Sequence, residues 1–352
     1  MKRSHHIKTQ LHRQRGSAAI WFALCLPVLI GFAALAIDLA RLNLTKTELQ
    51  NAADAAALAG ARYLTPQVNS DYNWSAAAKT AKDVTHLNYA NGQLLAVENA
   101  TIDSGYWNLK EQTFQTTGGA GFVPAIRATV RLSNGQTYGP GPVKLFFAPI
   151  LGITGENIQE ASAVAVIAPA GDGTGIFPFA ISKKMFDTYW DSTNNKPMVD
   201  SGNNPIELKY GLDSVYFDKS GTQYTSGTWT TFGTSPASSN NVKDYLEGTL
   251  TSNVKIGMTV NLESGVDDDA FHITGDLYTN KDVPVVVVEN VTPGSTATIY
   301  AIAGFHIDSV DKIKGKSYIS GHFISPEIFT TLNSGDGNGT LYGAYTPPIL
   351  VE

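Results

Sequence analysis

The chain has 352 residues, a formal net charge of -6 and a single cysteine, Cys25. This length accommodates a membrane segment with one or two further domains, and the acidic balance argues against nucleic-acid binding. A single cysteine excludes an intrachain disulfide, so the part of the chain outside a membrane must be stabilised by packing alone.

The chain begins with a basic tail, residues 1–16, followed by an apolar run. The tail contains five basic residues and no acidic residue, and Ser17–Ile37 contains no charge. A bilayer core requires roughly 20 apolar helical residues, and membrane helices tolerate an internal proline such as Pro27. The positive-inside rule places the tail in the cytoplasm and the remainder outside. The sequence therefore predicts a single-pass anchor.

Two alternatives to an uncleaved anchor remain open. Ala34-Leu35-Ala36 has the small-x-small pattern of a signal-peptidase site. Gly16 suits pilin-like processing, but the fifth residue after it is Trp21 rather than glutamate. The length of the apolar run, and the helical pattern that continues through it, favour the uncleaved anchor.

The helical pattern extends beyond the apolar run to Leu64, just before Thr65-Pro66. Small residues recur every four positions at Ala52, Ala56 and Gly60, which places them on one helix face. Such a face allows another helix to approach closely. The predicted neighbour is either a partner helix or Asn73–Asn91, a predicted amphipathic helix with Gly92 as its C-cap.

The remaining sequence predicts an α+β fold in which a long N-terminal transmembrane helix, residues 17–64, precedes two units. Residues 65–168 form a small α+β unit, and residues 169–352 form a β-rich extracytoplasmic domain after a Pro/Gly-rich linker at 169–175. The first unit is predicted to contain strands at 94–102, 125–132 and 158–167. It also contains a predicted hairpin at 105–117 and a predicted short helix at 143–151. In the second unit, 242–252 is a predicted helix, and the firmest strands are 283–291, 297–307 and 316–324.

The N-terminal segment also resembles TadE/TadG-like proteins of the Tad (Flp) pilus-assembly system. The matching features are Arg15-Gly16 before the apolar run, Asp38 at its end, and the run LQNAADAAALAGA from Leu49 to Ala61. The resemblance is strong over residues 15–64. It extends more loosely through residue 168, in Val143–Ile153 and Glu160–Val166.

The resemblance implies a structural, accessory protein of pilus assembly, not an enzyme, with no cofactor. It would be anchored in the bacterial inner membrane, carry a periplasmic body, and contact Tad pilus-assembly proteins or pilins. The residues predicted to form its helix interface are Asp38, Leu49, Gln50, Asn51, Ala52, Asp54, Ala56 and Gly60.

Other motifs predict no catalytic, cofactor or metal site. Gly315-Lys316-Ser317 lacks the glycine that a phosphate-binding loop needs at position 310 and predicts a turn entering a strand. The D-x-S-x-T motif at Asp218–Thr222 is interpreted as a polar hairpin, and Asp267–Asp269 and Gly335–Gly339 are interpreted as solvated turns. The histidines on predicted strands are interpreted as packed or surface residues; they are His272, His306 and His322. The alternative function is a membrane-anchored cell-surface adhesin or ligand-binding protein, which metal-dependent binding would favour.

Overall fold

The computed structural model describes residues 17–65, 72–118, 122–134, 138–153, 157–192, 196–211, 216–217, 220–234, 238–263, 268–324, 327–334 and 342–352. The basic tail lies outside these ranges. So do Asp218, Lys219 and Asp267 of the candidate cation motifs and all of Gly335–Gly339.

The described residues include five α-helices, which are α1 (Ser17–Arg62), α2 (Trp74–Thr85), α3 (Lys183–Tyr189), α4 (Ser239–Leu246) and α5 (Asp268–Tyr278). The first has 46 residues and continues through Pro27. At 1.5 Å per residue it is roughly 70 Å long. It ends two residues before the predicted boundary, and a long N-terminal apolar helix is confirmed.

The strands that build the two main sheets are β1 (Ala100–Asn108), β2 (Thr113–Gln115), β3 (Phe122–Leu132), β4 (Gln159–Val166), β5 (Phe177–Ser182), β6 (Leu208–Tyr210), β7 (Gly227–Trp229), β8 (Thr259–Asn261), β9 (Lys281–Val288), β10 (Thr296–Ile313), β11 (Lys316–Phe323) and β12 (Ile349–Leu350). Shorter strands pair in small sheets; they are Tyr89–Ala90, Gln93–Leu94, Asp172–Gly173, Trp190–Asp191, Lys196–Pro197, Tyr216–Phe217, Gln223–Tyr224, Val254–Lys255, Glu327–Ile328, Leu332–Asn333 and Ala344–Tyr345. Helices and sheets together confirm the α+β class.

The first sheet has five strands in the order β12-β4-β3-β1-β2, all antiparallel. Its edge strand β12 comes from the end of the chain and pairs Ile349 with Val166. The N–H of Val351 donates to the carbonyl of Val164 at 2.9 Å. Residues 349–352 therefore pack with a sheet built from residues 100–166, although the predicted boundary at 168 remains a prediction.

One face of the first sheet is covered by α1 and α2. The buried side chains between them are mostly small on both sides, and include Ala52, Ala53, Ala56, Ala57 and Ala61 of α1, Ala77 and Ala81 of α2, and Ala128, Ala163 and Ala165 of the sheet. Alanines on both surfaces let the backbones approach closely. The opposite face buries larger residues, including Trp107, Val123 and Val164.

The second sheet has seven strands in the order β6-β11-β10-β9-β5-β7, and β8 pairs additionally with β10. Among the described strands of this sheet, the β9–β5 pair is parallel and the other pairs are antiparallel. The valine-rich segment predicted as a central buried strand is β9, which is buried from Val283 to Val288. One face packs against α3, α4 and α5 through residues such as Phe186, Leu246 and Phe271.

Several predicted elements were wrong in detail. The second helix ends at Thr85 with His86 as its C-cap, because residues 89–94 form a hairpin. Asn91 and Gly92 have φ values of 52° and +76° in its turn, as a type I′ turn requires, so Gly92 is not a helix cap.

Other differences fall outside this hairpin. The predicted helix at 143–151 contains only a 3-10 turn, Ala148–Leu151. His272 lies on α5 rather than on a strand, since Asp268–Tyr278 is helical. The turn predicted at Gly315 is confirmed, because it joins β10 to β11.

Close packing of α1 predicts that Ala56→Leu destabilises the protein. Ala56 has no exposed surface, and overpacking a filled core costs about 1–3 kcal/mol. Thermal unfolding in detergent, with Ala55→Leu at a half-buried neighbouring position as the matched control, measures the difference. Equal stability of the two variants would contradict close packing at Ala56.

Candidate functional site

Asp38 lies near the middle of α1 and is 1% exposed. Its carboxylate accepts three backbone N–H groups, from Phe146 at 2.9 Å, Phe147 at 2.9 Å and Ala148 at 2.8 Å. These donors lie at the start of the Ala148–Leu151 3-10 helix, where backbone N–H groups have no partner within the helix. Asp38 therefore ties α1 to residues 138–153, which we call the exit loop.

Arg41 lies one turn beyond Asp38 and contacts two segments at once. Its Nη1 donates to the carbonyl of Lys144 at 3.0 Å, and its Nη2 donates to Asn91 Oδ1 at 2.9 Å. The guanidinium carbon lies 4.4 Å from the centroid of the Phe146 ring, a cation–π contact. Arg41 thus joins the exit loop and the 89–94 hairpin to α1.

Polar residues farther along α1 hold the hairpin and β4. A Glu48 carboxylate oxygen accepts the N–H of Asn91 at 2.7 Å. The Gln50 side-chain amide donates to Asp54 at 2.8 Å and to the carbonyl of Ser162 at 3.1 Å. The half-buried polar groups of this helix therefore fix three separate parts of the chain to α1.

The helices α1 and α2 lie close together at Gly60. A Cβ atom there would lie 3.0 Å from the carbonyl oxygen of Ala77, 3.0 Å from Ala81 Cβ and 3.1 Å from a methyl group of Ile126. A glycine in a helix interior costs roughly 1 kcal/mol relative to alanine. The space that α2 and β3 occupy explains why glycine lies here.

The structure brings only part of the predicted interface together. Leu49, Ala52 and Ala56 are fully buried against the chain's own α2 and sheet, whereas Asn51 is exposed. Asp38 contacts the exit loop, roughly 16 Å along the helix from Leu49. Their role as an interface with a partner protein stays a prediction.

Arg41, Glu48 and Asn91 were not among the predicted site residues. Their contacts join positions more than 40 residues apart, and spacing within one helix gives no indication of such partners. The sequence signal nearest to them is the Asn91-Gly92 pair, which favours a two-residue hairpin turn.

Of the three histidines predicted on strands, His306 and His322 lie together on neighbouring strands of the second sheet. The Nδ1 atoms of His306 and His322 lie 2.6 Å from Asp282 and 3.0 Å from Asp308, and the two rings are 5.0 Å apart. Within the described ranges, no group of three or more His, Cys, Asp or Glu residues is arranged to hold a metal ion.

The Asp38 contacts predict that Asp38→Asn loosens the exit loop. An amide side chain presents one oxygen and an NH2 group, so it cannot accept three N–H bonds. Phe147 and Ala148 donate to one carboxylate oxygen and Phe146 donates to the other, so the side-chain NH2 must face at least one of these donors. Because hydrogen bonds to charged groups are the stronger class, exchange protection of at least one of the three amides should fall about tenfold or more. Asn43→Ala, at an exposed position of α1, is the control. Unchanged protection at all three amides, Phe146, Phe147 and Ala148, in Asp38→Asn would show that the carboxylate does not hold the loop.

Comparisons with known proteins found two matching family models. Residues 16–62 match the model of the Flp pilus-assembly TadE/G-like family, and residues 44–166 match that of the Tad-like Flp pilus-assembly family. The two matches cover α1, α2 and β1–β4 but less than half of the chain. No curated protein and no solved structure matches it. Residues 16–166 are therefore similar to TadG-like proteins of Tad (Flp) pilus assembly.

Proposed function

We propose that the protein is a membrane-anchored structural component of Tad pilus assembly, with a periplasmic body. The observation that supports this most strongly is the division of α1 into two halves. The N-terminal half is apolar and mostly exposed, while one face of the C-terminal half is buried in the first unit. One uninterrupted helix therefore belongs both to the anchor and to the body.

The exposed half of α1 has the surface of a membrane helix. Among the described residues, α1 is the one helix long and apolar enough to cross a bilayer. Its exposed large side chains include Ile20, Trp21, Phe22, Leu24, Leu29, Ile30 and Phe32. So large an apolar surface is unfavourable in water, and lipid would cover it.

The orientation follows from charge. Five basic residues precede the span, and the charges close after it are balanced. The positive-inside rule then puts the N-terminus in the cytoplasm and residues 65–168 and 169–352 in the periplasm.

A continuous helix between membrane and body suits a structural component of an assembly, because it fixes the body relative to the membrane. A body attached through a flexible linker would move freely relative to the membrane, whereas α1 continues into the core without a loop. The matched families are pilus-assembly families, so we infer that Tad pilus-assembly proteins or pilins contact the body. These contacts would be structural, and no chemical step is assigned to the protein.

The proposed topology predicts that alkaline phosphatase fused after Glu352 is active. Green fluorescent protein fused at the same position should not fluoresce, because it does not fold after export through the general secretory route. The matched control is the same pair of fusions to a variant in which the tail's five basic residues are replaced by glutamine, which should reduce the orientation bias. A fluorescent, phosphatase-inactive fusion of the native chain would contradict a periplasmic body.

Sequencing the N-terminus of the mature protein, in the strain used for the native-chain fusions, tests whether the anchor is cleaved. An uncleaved anchor retains the basic tail. A terminus at Ile37 would show signal-peptidase cleavage, and one at Ser17 would show pilin-like processing.

A further inference from the structure

The exit loop exposes large apolar side chains at the point where α1 leaves the apolar segment. Phe146, Ile150 and Ile153 are all exposed, and Ile150 is 78% exposed. That fraction exceeds the 69% of Trp21, the most exposed large apolar side chain described in α1. Large apolar side chains exposed together in one short segment mark an interaction or membrane site.

The loop is held at a fixed level along the helix. Ser17–Ile37 spans roughly 31 Å at 1.5 Å per residue, close to the thickness of the hydrocarbon core. Asp38 follows directly, and its carboxylate binds the backbone of residues 146–148. The backbone that carries Phe146 and Ile150 therefore lies at the boundary where α1 would emerge from lipid.

The composition of the loop suits a membrane interface. Between Tyr138 and Ile153 the only charged residue is Lys144, which is exposed. Aromatic and aliphatic side chains beside a basic residue are typical of segments that lie at the level of the lipid headgroups. Arg41, whose guanidinium lies over Phe146, adds a second positive charge at this level.

We propose that the exit loop is a second membrane contact, which inserts Phe146, Ile150 and Ile153 into the interfacial layer of the periplasmic leaflet. This inference depends on the proposed membrane anchor. The bilayer is the occupant because the loop is continuous with the membrane-facing surface of α1. Together the helix and the loop contact the bilayer at two places and so fix the tilt of the body, which a single helix does not do.

A control position lies at the far end of the first sheet. Gln50 contacts Ser162, which is opposite Thr129, whereas Gly60 lies against Ile126. Lower-numbered residues of β3 are therefore farther along α1 from the proposed membrane. Lys110 is exposed in the β1–β2 turn. This turn follows Asn108, the end of β1, which is paired with Phe122 at the low-numbered end of β3. It is displaced from the other end of β1 by about 27 Å.

Spin-label accessibility in vesicles of phosphatidylethanolamine and phosphatidylglycerol tests the proposal. The full chain with Cys25→Ser receives one label, at Ile150→Cys, at Leu29→Cys within the span, or at Lys110→Cys. Oxygen concentrates in lipid, whereas a nickel chelate remains in water, and the ratio of their collision rates reports the surroundings of each label. We expect this ratio at Ile150 to lie several-fold above that at Lys110 and below that at Leu29.

The three labels separate the two proposals. A lipid-like ratio at Leu29 with a water-like ratio at Ile150, equal to that at Lys110, overturns the second contact and leaves the anchor intact. Water-like ratios at both Leu29 and Ile150 overturn the anchor as well. An Ile150 label immobilised and shielded from both reagents would indicate a protein neighbour and would also overturn the lipid contact.

Discussion

Close contact between the alanine face of α1 and the first sheet is the constraint on which the rest of the structure depends. Because many of the buried residues are alanines on both sides, the backbones lie close together and the packing consists of many short dispersion contacts. Among the described elements, α1 and α2 make the main contacts with this face of the sheet. The first sheet therefore requires the helix that also carries the apolar segment, and the two are not separable modules.

Polar contacts of α1 and the packing of the last residues also join distant parts of the chain to the first sheet. Asp38, Arg41 and Glu48 connect the helix to the exit loop and the 89–94 hairpin. At the other end of the sequence, Tyr345 is fully buried in the same core, and its hydroxyl lies 3.0 Å from that of Tyr72. Ala344–Tyr345 also pairs with Glu327–Ile328, so the last residues connect the β-rich unit to the first sheet.

Local features were predictable from the sequence, and distant pairings were not. The bounds of α1 follow from composition, its alanine periodicity and Thr65-Pro66, and β9 follows from its run of valines. The contact of Asp38 with residues 146–148 and the pairing of β12 with β4 join positions more than 100 residues apart, and no period encodes them. The α5 helix was missed because Asp268 and Asp269 at its first turn also suit a solvated loop; acidic residues there favour a helix start.

The central claim is that α1 passes from the membrane into the body without a hinge. Hydrogen exchange of the full chain in lipid nanodiscs tests it most directly, since local opening appears as fast exchange of the affected amides. The account predicts slow exchange from the apolar half through Asp38 and on to Ala61, with no fast segment between them. Rapid exchange confined to residues 38–48 would show a flexible junction and contradict the claim.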